Sequence, residues 1–537
     1  MPSKPTAKSS GPWRRVRYSL DPEREPKPDE LYWAHNLVPL TPGGGPYIRR
    51  KKDFYYPIGS GVNDAPLFVH TYEKPGASPR VLVGLLDSTA RGALYEAQAS
   101  AGDVTLSVVL STAVLSAAGV NLRGGKPANI GGQVVFGAEP TSSATPFVWD
   151  GTSGGGISAL TNAPLGASMP TIMAGKIFFR ESDGYSITWS EELANNTGYN
   201  AGGFSNSWSL TQQGQSTIRH LYGSNEGIYY FREKSIGLIR GAVTTDFAAA
   251  AQHDDVALEL GVANQQVLDL NSRFWFFDTE GRPWMLPRGG RPVPIWQHAS
   301  LLWPQARSAN AAGQGIGWAP MPEFGAVLGF VNGFDSLVGG ATGFLFDDSS
   351  GDLLSIWTCT QTPLIVGAAT SPCLLDYPRA VFLTSGTGAA PPKLAYYSDP
   401  KTVTGDEYAE ESPTQTYRLL THPLGDGDGS LNYWDQLDVE YWLGRDANSA
   451  SGSPTPEMSS SEVGFQYGVT NPLSTLTGQS IAATATPKAV RKVWGLGREL
   501  RWAQCGVSAS GALGLQCWGV NRVTLKGFKV PIHPNRS

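Results

Sequence analysis

Five aspartates follow short apolar runs, and paired carboxylates are the groups that glycoside hydrolysis needs. They are Asp87, Asp150, Asp183, Asp278 and Asp347. If such residues faced one cleft, one could act as the acid and another as the base on a glycan. Asp is also an ordinary turn residue, and Gly or Ser stands close behind most of these five. The turn interpretation is therefore favoured over the catalytic one.

The other chemistry-bearing residues form no recognisable pattern. The histidines are His35, His70, His220, His253, His298, His422 and His533, and none has the spacing of a metal-ligand pair. His253-Asp254-Asp255 offers donors for a cation, although a solvated loop is the favoured interpretation. Gly124-Gly125-Lys126 lacks the first Gly and the Ser or Thr of a phosphate-binding loop. We therefore predict no catalytic, cofactor-binding or metal-binding residue, and no enzyme.

The cysteines and the termini indicate a compartment. Cys359, Cys373, Cys505 and Cys517 match no zinc pattern, so we expect buried free thiols, with a Cys359–Cys373 or Cys505–Cys517 disulfide as the alternative. The sequence shows no signal peptide and no apolar stretch of membrane-spanning length. We expect a protein that is made in a reducing cytoplasm.

Composition indicates the fold class that must position these residues. The chain has 537 residues, with 64 Gly, 39 Pro and 10% aromatic residues, but only 16% charged residues. Aromatic content of this kind excludes disorder, and no Gly-X-Y period indicates collagen. A turn-rich and aromatic-rich globular chain is typical of all-β proteins.

Apolar, aromatic-rich runs recur along the middle of the chain. Aligned on one position of each run, they are anchored at Leu85, Phe136, Phe179, Phe231, Phe277, Phe330 and Phe382, at steps of 51, 43, 52, 46, 53 and 52 residues. A period of about 40–55 residues with four short strands predicts a β-propeller, here of six to eight blades. A series of unrelated hairpins is the alternative. We place the propeller at 80–430, an extended basic N-terminal arm at 1–79 and a C-terminal β-sandwich at 431–537.

Charge is distributed unevenly. Residues 1–80 carry a net charge of +5 and 485–537 a net charge of +8, while 81–484 carry −18. An acidic body repels a phosphate backbone, which argues against sequence-specific DNA recognition. The basic ends favour docking to a neighbouring protein, with nucleic-acid binding as the weaker alternative.

The chain resembles a family of viral structural proteins, namely the propeller-bearing tail hub or nozzle ("stabilisation") proteins of short-tailed bacteriophages. The similarity lies in Ile177-Phe178-Phe179-Arg180-Glu181 with Thr188-Trp189-Ser190, in 229–241, in 497–502, and in 36–40 with Arg49-Arg50. It implies a non-catalytic virion protein in a homo-oligomeric ring, with six subunits favoured, below the portal or adaptor. Such a ring would pass DNA during ejection without specific binding and would carry fibres or spikes.

A second function class remains open at this stage. Trp149, Trp189, Trp275, Trp284 and Trp303 have the side chains that stack on sugars. A carbohydrate-binding or glycan-degrading propeller, acting as a receptor-binding tail component, is therefore the alternative. The same tryptophans serve equally well as packing residues between blades.

Overall fold

The fold is taken from a computed structural model of the chain. The structure describes residues 5–17, 27–41, 45, 47–49, 53–57, 65–86, 92–100, 103–160, 162–190, 203–204, 206–211, 216–241, 252–264, 266–300, 303, 316–321, 325–331, 341–359, 368–371, 379–384, 393–397, 416–425, 430–443, 454–458, 474–476, 479, 488–510 and 518–530. Within these ranges, no helix has the length and apolar character that crossing a bilayer requires.

The chain begins with six strands that join three different sheets. They are β1 (Pro5–Ser10), β2 (Arg15–Val16), β3 (Glu30–His35), β4 (Leu37–Pro39), β5 (Tyr47–Arg49) and β6 (Asp53–Pro57).

Five four-stranded antiparallel blades follow. Blade 1 is β7 (Ala65–Tyr72), β8 (Arg80–Leu86), β9 (Ala93–Ser100) and β10 (Asp103–Leu110), followed by helix α1 (Thr112–Ala117). Blade 2 is β11 (Ala128–Ile130), β12 (Gln133–Phe136), β13 (Phe147–Trp149) and β14 (Ile157–Ala159). Blade 3 is β15 (Ser168–Met173), β16 (Lys176–Arg180), β17 (Ser186–Trp189) and β18 (Asn206–Ser209). Blade 4 is β19 (Ile218–Ser224), β20 (Gly227–Arg232), β21 (Ser235–Arg240) and β22 (Gln252–Leu258). Blade 5 is β23 (Leu268–Leu270), β24 (Arg273–Phe277), β25 (Pro283–Pro287) and β26 (Val293–Pro294), followed by a 3₁₀ helix (Trp296–Ala299).

Two further blades complete the ring. Blade 6 is β27 (Ile316–Met321), β28 (Ala326–Val331), β29 (Ala341–Asp347) and β30 (Leu353–Cys359). Blade 7 contains β31 (Ala368–Ser371), β32 (Arg379–Thr384) and β33 (Lys393–Tyr397), and its outer strand is β6 from the N-terminal segment. The register runs from Lys393 opposite Pro57 to Tyr397 opposite Asp53. Since β7 of blade 1 follows β6 in the chain and also contacts β31 and β32, the first and last blades close the ring.

The seven sequence anchors coincide with one structural position. Each lies in the second strand of its blade, from Leu85 in β8 to Phe382 in β32. Between these two ends, Phe136, Phe179, Phe231, Phe277 and Phe330 are all buried. Second strands pack against neighbouring blades on both faces, which explains why they read as continuous apolar runs. The predicted all-β propeller is confirmed, with seven blades.

The remaining strands build a sandwich that includes N-terminal strands. They are β34 (Thr416–Thr421), β35 (Leu424–Gly425), β36 (Asn432–Leu443), β37 (Thr455–Met458), β38 (Ser474–Thr475), β39 (Lys488–Leu500), β40 (Trp502–Ala503), β41 (Cys505–Ser510) and β42 (Trp518–Lys529). One sheet has the order β39-β36-β42-β5-β4, with β1 also paired to β42. The facing sheet has the order β3-β34-β41-β37-β38 and continues from β30 of blade 6. Its core includes Trp33, Leu419, Val439, Trp434 and Trp518.

The segment assigned to an N-terminal arm therefore has several structural roles. Residues 5–49 supply sandwich strands, β6 completes blade 7, and β7 is the inner strand of blade 1. Backbone hydrogen bonding, which side-chain patterns do not encode, decides these partners. The predicted boundary at 79/80 therefore divides the strands of the ring and of the sandwich, and the sandwich also includes β34, which precedes the predicted boundary at 430/431.

Candidate functional site at the centre of the ring

The first strands of the blades surround the axis of the ring, and their polar side chains link neighbouring blades. In blade 2, Asn129 donates through Nδ2 to the Thr71 carbonyl of blade 1 at 2.8 Å. This bond leaves Asn129 Oδ1 to accept from Nε2 of His70 at 2.8 Å, which assigns the proton of His70 to Nε2. Between blades 3 and 4, Thr171 Oγ1 accepts from the Gly223 amide at 2.6 Å.

His70 is held in its neutral form. Burial is the main reason that the pKa of His70 is lowered to about 4. The hydrogen bond to Asn129 acts to raise this pKa, and the charge of Lys126 lowers it further. Only 7% of the residue is exposed. His70 therefore serves as a neutral hydrogen-bond donor at physiological pH and carries no charge into the ring centre.

Blades 4 and 5 meet through a charged triad. Tyr222 of β19 hydrogen bonds to Asp269 of β23, and Nη2 of Arg288 lies 2.6 Å from both Asp269 Oδ2 and the Tyr222 hydroxyl. Burial, and then the Asp269 carboxylate, raise the pKa of Tyr222. Among the described residues, the buried Asp269 Oδ1 has no hydrogen-bond partner. The triad is a structural ion pair in which the phenol stays protonated.

Lys126 is a further charged group near the ring centre. It lies in blade 2, two residues before β11, and its side chain is exposed to solvent. Protein nevertheless surrounds the ammonium closely enough for desolvation to lower its pKa, with the Asp269 carboxylate opposing this effect. Asp269 belongs to β23, the first strand of blade 5, so its charge acts on Lys126 from another blade of the ring. The ring centre therefore contains polar side chains, among them Asn129 and Lys126.

The relation between Lys126 and Asp269 was not among the expectations from the sequence. Lys126 was considered only as part of a failed phosphate-binding motif, and no sequence signal paired it with Asp269, which is 143 positions away. Gly124 helps to place it, because a Cβ there would lie 2.0 Å from the Gly137 carbonyl carbon. Only glycine permits this approach of two backbones.

The described aspartates of the proposed catalytic set are turn residues. Asp150 Oδ1 accepts from the Thr152 amide at 2.9 Å. Asp183 accepts from the amides of Tyr185 and Ser186, both at 2.8 Å. Hydrogen bonds of this kind are typical of Asx turns.

Asp278 and Asp347 have the same role. Asp278 accepts from the Glu280 and Arg282 amides and from Trp284 Nε1, and Asp347 accepts from the Ser349 and Ser350 amides. The set also divides between the two faces of the ring, since Asp183 and Asp278 follow second strands whereas Asp150 and Asp347 follow third strands. The four described aspartates therefore do not meet in one cleft. Asp87 lies outside the described residues.

The tryptophans proposed for sugar stacking are mostly inaccessible. Trp149, Trp189, Trp275 and Trp303 are each at most 2% exposed. Trp284 is half-buried, and its indole N–H donates to Asp278 at 2.8 Å. The packing interpretation therefore accounts for four of the five.

His253, Asp254 and Asp255 do not form a loop, contrary to the favoured interpretation. They lie on β22, the outer strand of blade 4, which pairs antiparallel with β21. Asp254 pairs with Arg240 at 2.8 Å, and the His253 ring hydrogen bonds to Tyr230. Throughout the described part of the chain, no group of three or more His, Cys, Asp or Glu side chains has a metal-binding arrangement.

Cys505 is a buried free thiol, and burial raises its pKa to about 12. The Cys359 side chain, Cys373 and Cys517 lie outside the described residues. Cys505 lies in β41 of the sandwich, apart from the polar groups of the ring centre.

The fold defines a seven-bladed β-propeller joined to a β-sandwich. No protein-family model matches the chain, and no curated protein matches it. Among solved structures, the WD40 domain of Neurospora crassa Pan2 is 8% identical, with 68% of this chain and 98% of that domain covered and a TM-score of 0.40.

Two further structures are similar at the same low level. The extracellular domain of a hybrid two-component system from B. thetaiotaomicron is 11% identical, with 74% of this chain and 45% of that chain covered and a TM-score of 0.36. An exo-β-1,3-galactanase from Phanerochaete chrysosporium is 6% identical, with 74% and 95% covered and a TM-score of 0.25. The chain thus spans under half the length of the two-component system domain. The fold assignment depends on the strand pairing described above, and no function follows from these similarities.

Proposed function

We propose that this protein is a structural component of a bacteriophage tail, a hub or nozzle subunit located in the virion and made in the host cytoplasm. The observation that carries the proposal is the ten-stranded sheet that blade 6 shares with the sandwich. A subunit that must hold its shape between neighbouring rings benefits from such a continuous sheet, whereas a flexible linker would let its domains move.

The N-terminal segment makes this connection. β3 pairs in parallel with β30 at His35 and Ile356, and the Asn36 amide donates to the Ile356 carbonyl at 2.9 Å. Its other edge pairs with β34 of the sandwich. Nη1 of Arg15 adds contacts to both carboxylate oxygens of Asp352 in blade 6, at 2.9 Å to Oδ1 and 3.1 Å to Oδ2. The two domains are therefore fastened by backbone and side-chain bonds.

DNA passage, if the subunit forms part of a tail conduit, belongs to a channel between copies of the chain. First strands of neighbouring blades contact one another around the ring centre, as β15 does with β19 and β27 with β31, so we place the conduit outside the propeller. A homo-oligomeric ring, with six subunits favoured, would enclose the wider conduit. Portal or adaptor proteins on one side and fibres or spikes on the other are the proposed partners.

Quantitative mass spectrometry of purified virions tests the proposal. We expect a few copies of this chain per particle, near six or twelve, counted against the major capsid protein. Negative-stain microscopy with an antibody against the chain should then label the tail. Absence of the chain from particles that retain their tails would overturn the proposal.

The carbohydrate alternative has less support, because four of its five tryptophans are buried. A glycan array and a polysaccharide-degradation assay with the purified chain distinguish the two classes. The structural role predicts no binding and no degradation. Specific glycan binding without incorporation into virions would favour the alternative.

A further inference from the structure

Two strands of opposite charge stand at the ends of their sheets. β39 is the terminal strand of the sandwich sheet β39-β36-β42-β5-β4, and β22 is the terminal strand of blade 4. Within the described part of the chain, each has one edge that no other strand occupies. Such an edge presents a row of backbone N–H and C=O groups, which can pair with a strand of another chain.

The open side of β39 is called the basic edge here, because the strand carries Lys488, Arg491 and Lys492. The Val493 carbonyl accepts from Nε2 of Gln479 at 2.7 Å. In an antiparallel strand, the N–H and C=O of one residue point to the same side, and that side alternates along the strand. The glutamine amide thus takes, at Val493, the place that the N–H of a further strand would have.

The open side of β22 is the acidic edge. The strand carries Asp254 and Asp255, whose side chains are 49% and 51% exposed, and Glu259 follows directly. The outer strands of blades 1, 2, 3 and 5, namely β10, β14, β18 and β26, have at most one charged residue each. Among these outer strands, β22 therefore offers the strongest attraction for a basic strand.

Charge selects which of these edges can meet. Like charges on directly opposed strands are destabilising, whereas opposite charges stabilise the pairing. Two basic edges therefore repel each other, as do two acidic edges, but a basic edge attracts an acidic one. Within one copy of the chain, β22 and β39 belong to different sheets and do not pair. The whole chain has the same polarity, since 485–537 carry a net charge of +8 and 81–484 a net charge of −18.

We propose that the acidic edge of one copy pairs with the basic edge of a second copy, so that blade 4 of one subunit and the sandwich of the next share a continuous sheet. The seven residues of β22 fit within the 13 residues of β39. When each edge engages a different neighbour, the contact repeats head to tail, and contacts of this kind close into rings. The inference rests on the proposed homo-oligomeric ring and names the contact that builds it.

Sedimentation velocity of the purified full-length chain tests this contact. We expect association that increases with protein concentration and weakens as salt rises from about 0.1 M to about 1 M, because the Debye length falls from about 10 Å to about 3 Å. Asp255→Lys and Lys492→Glu each bring like charges together at the contact. Each variant alone should therefore associate about tenfold more weakly than wild type.

Mixing the two variants gives the sharpest comparison. The new lysine of the Asp255→Lys copy meets the new glutamate of the Lys492→Glu copy, while the unchanged Lys492 and Asp255 meet at the next contact. Association should therefore return toward the wild-type level in the mixture. Glu73→Lys is the matched control, since it makes the same charge change at an exposed position in the turn after β7, and it should associate like wild type.

Hydrogen exchange read by mass spectrometry locates the contact. In concentrated compared with dilute wild type, peptides covering 252–258 and 488–500 should exchange more slowly, whereas peptides of β10 and β14 should not change. The proposal is overturned if wild type stays monomeric, if the charge reversals leave its association unchanged, or if the mixture does not recover. It also fails if Lys492→Glu abolishes only a DNA gel shift, because the basic edge then binds nucleic acid. The copy number in virions tests the proposed function separately.

Discussion

Arg418 on β34 and Glu457 on β37 form a buried ion pair that spans the intervening strand β41. Nε and Nη2 of Arg418 bond Glu457 Oε2 at 3.0 and 2.7 Å, and the side chains are 3% and 7% exposed. Both groups are desolvated, so each depends on the other for compensation. The pair fixes the order of three strands in the sheet that also joins blade 6.

Removing one member of this pair should destabilise the sandwich strongly. Arg418→Met leaves a buried carboxylate without its partner, and we expect a loss of about 3–5 kcal/mol in the free energy of unfolding. Urea denaturation measures it, and Arg418→Met with Glu457→Met should recover much of the loss. The control is Arg240→Ala, which removes the exposed 2.8 Å pair with Asp254 and should cost less than about 1 kcal/mol. Equal losses in the two single variants would contradict this interpretation.

Gly124 should not tolerate a side chain. In Gly124→Ala, the new Cβ would lie 2.0 Å from Gly137 C and 2.4 Å from the Ala138 nitrogen, and neither backbone can move freely. We expect a loss of about 3 kcal/mol, measured by urea unfolding. Gly155→Ala is the matched control, since nothing lies within 4 Å of its added Cβ. A neutral Gly124→Ala would show that the segments before β11 and after β12 approach each other less closely than described.

Truncation should affect the ring and the sandwich together. Removing residues 1–57 deletes the outer strand of blade 7 and β1 to β5. We expect loss of cooperative thermal unfolding and rapid proteolysis of the remaining chain. Removing residues 1–10 deletes only β1, so this variant should retain a cooperative transition. A longer truncation that unfolds like the full chain would be inconsistent with ring closure by β6.

Acid should destabilise the propeller through His70. Its pKa in the folded chain, about 4, is below the ordinary 6.5, so the unfolded chain binds more protons between these values. Stability contributed by neutral His70 is complete above pH 6.5 and should fall by about 2 kcal/mol at pH 5. Urea unfolding at pH 8, 6 and 5 measures this loss. His70→Gln should be less stable at pH 8 but should have a shallower pH dependence, and an unchanged slope would refute the assignment.

Much of the ring could be predicted from sequence, because a second strand that is buried on both faces needs an uninterrupted apolar run. Phe179 and Phe231 mark such runs and repeat at the spacing of a blade. The turn role of Asp183 was also accessible, since Gly184 follows it directly. These are local properties, which each stretch of chain expresses without knowledge of its partner.

The pairing of distant segments was decided only by the tertiary structure. Nothing in Asp53–Pro57 identifies Lys393–Tyr397 as its partner, because the backbone N–H and C=O groups that pair are the same in all residues except proline, which lacks the N–H. Lys126 and Asp269 likewise become neighbours only when seven blades close around one axis. The sequence by itself determined the repeating apolar strands and their turns, whereas ring closure and three-dimensional packing decided which charges meet and which tryptophans are buried.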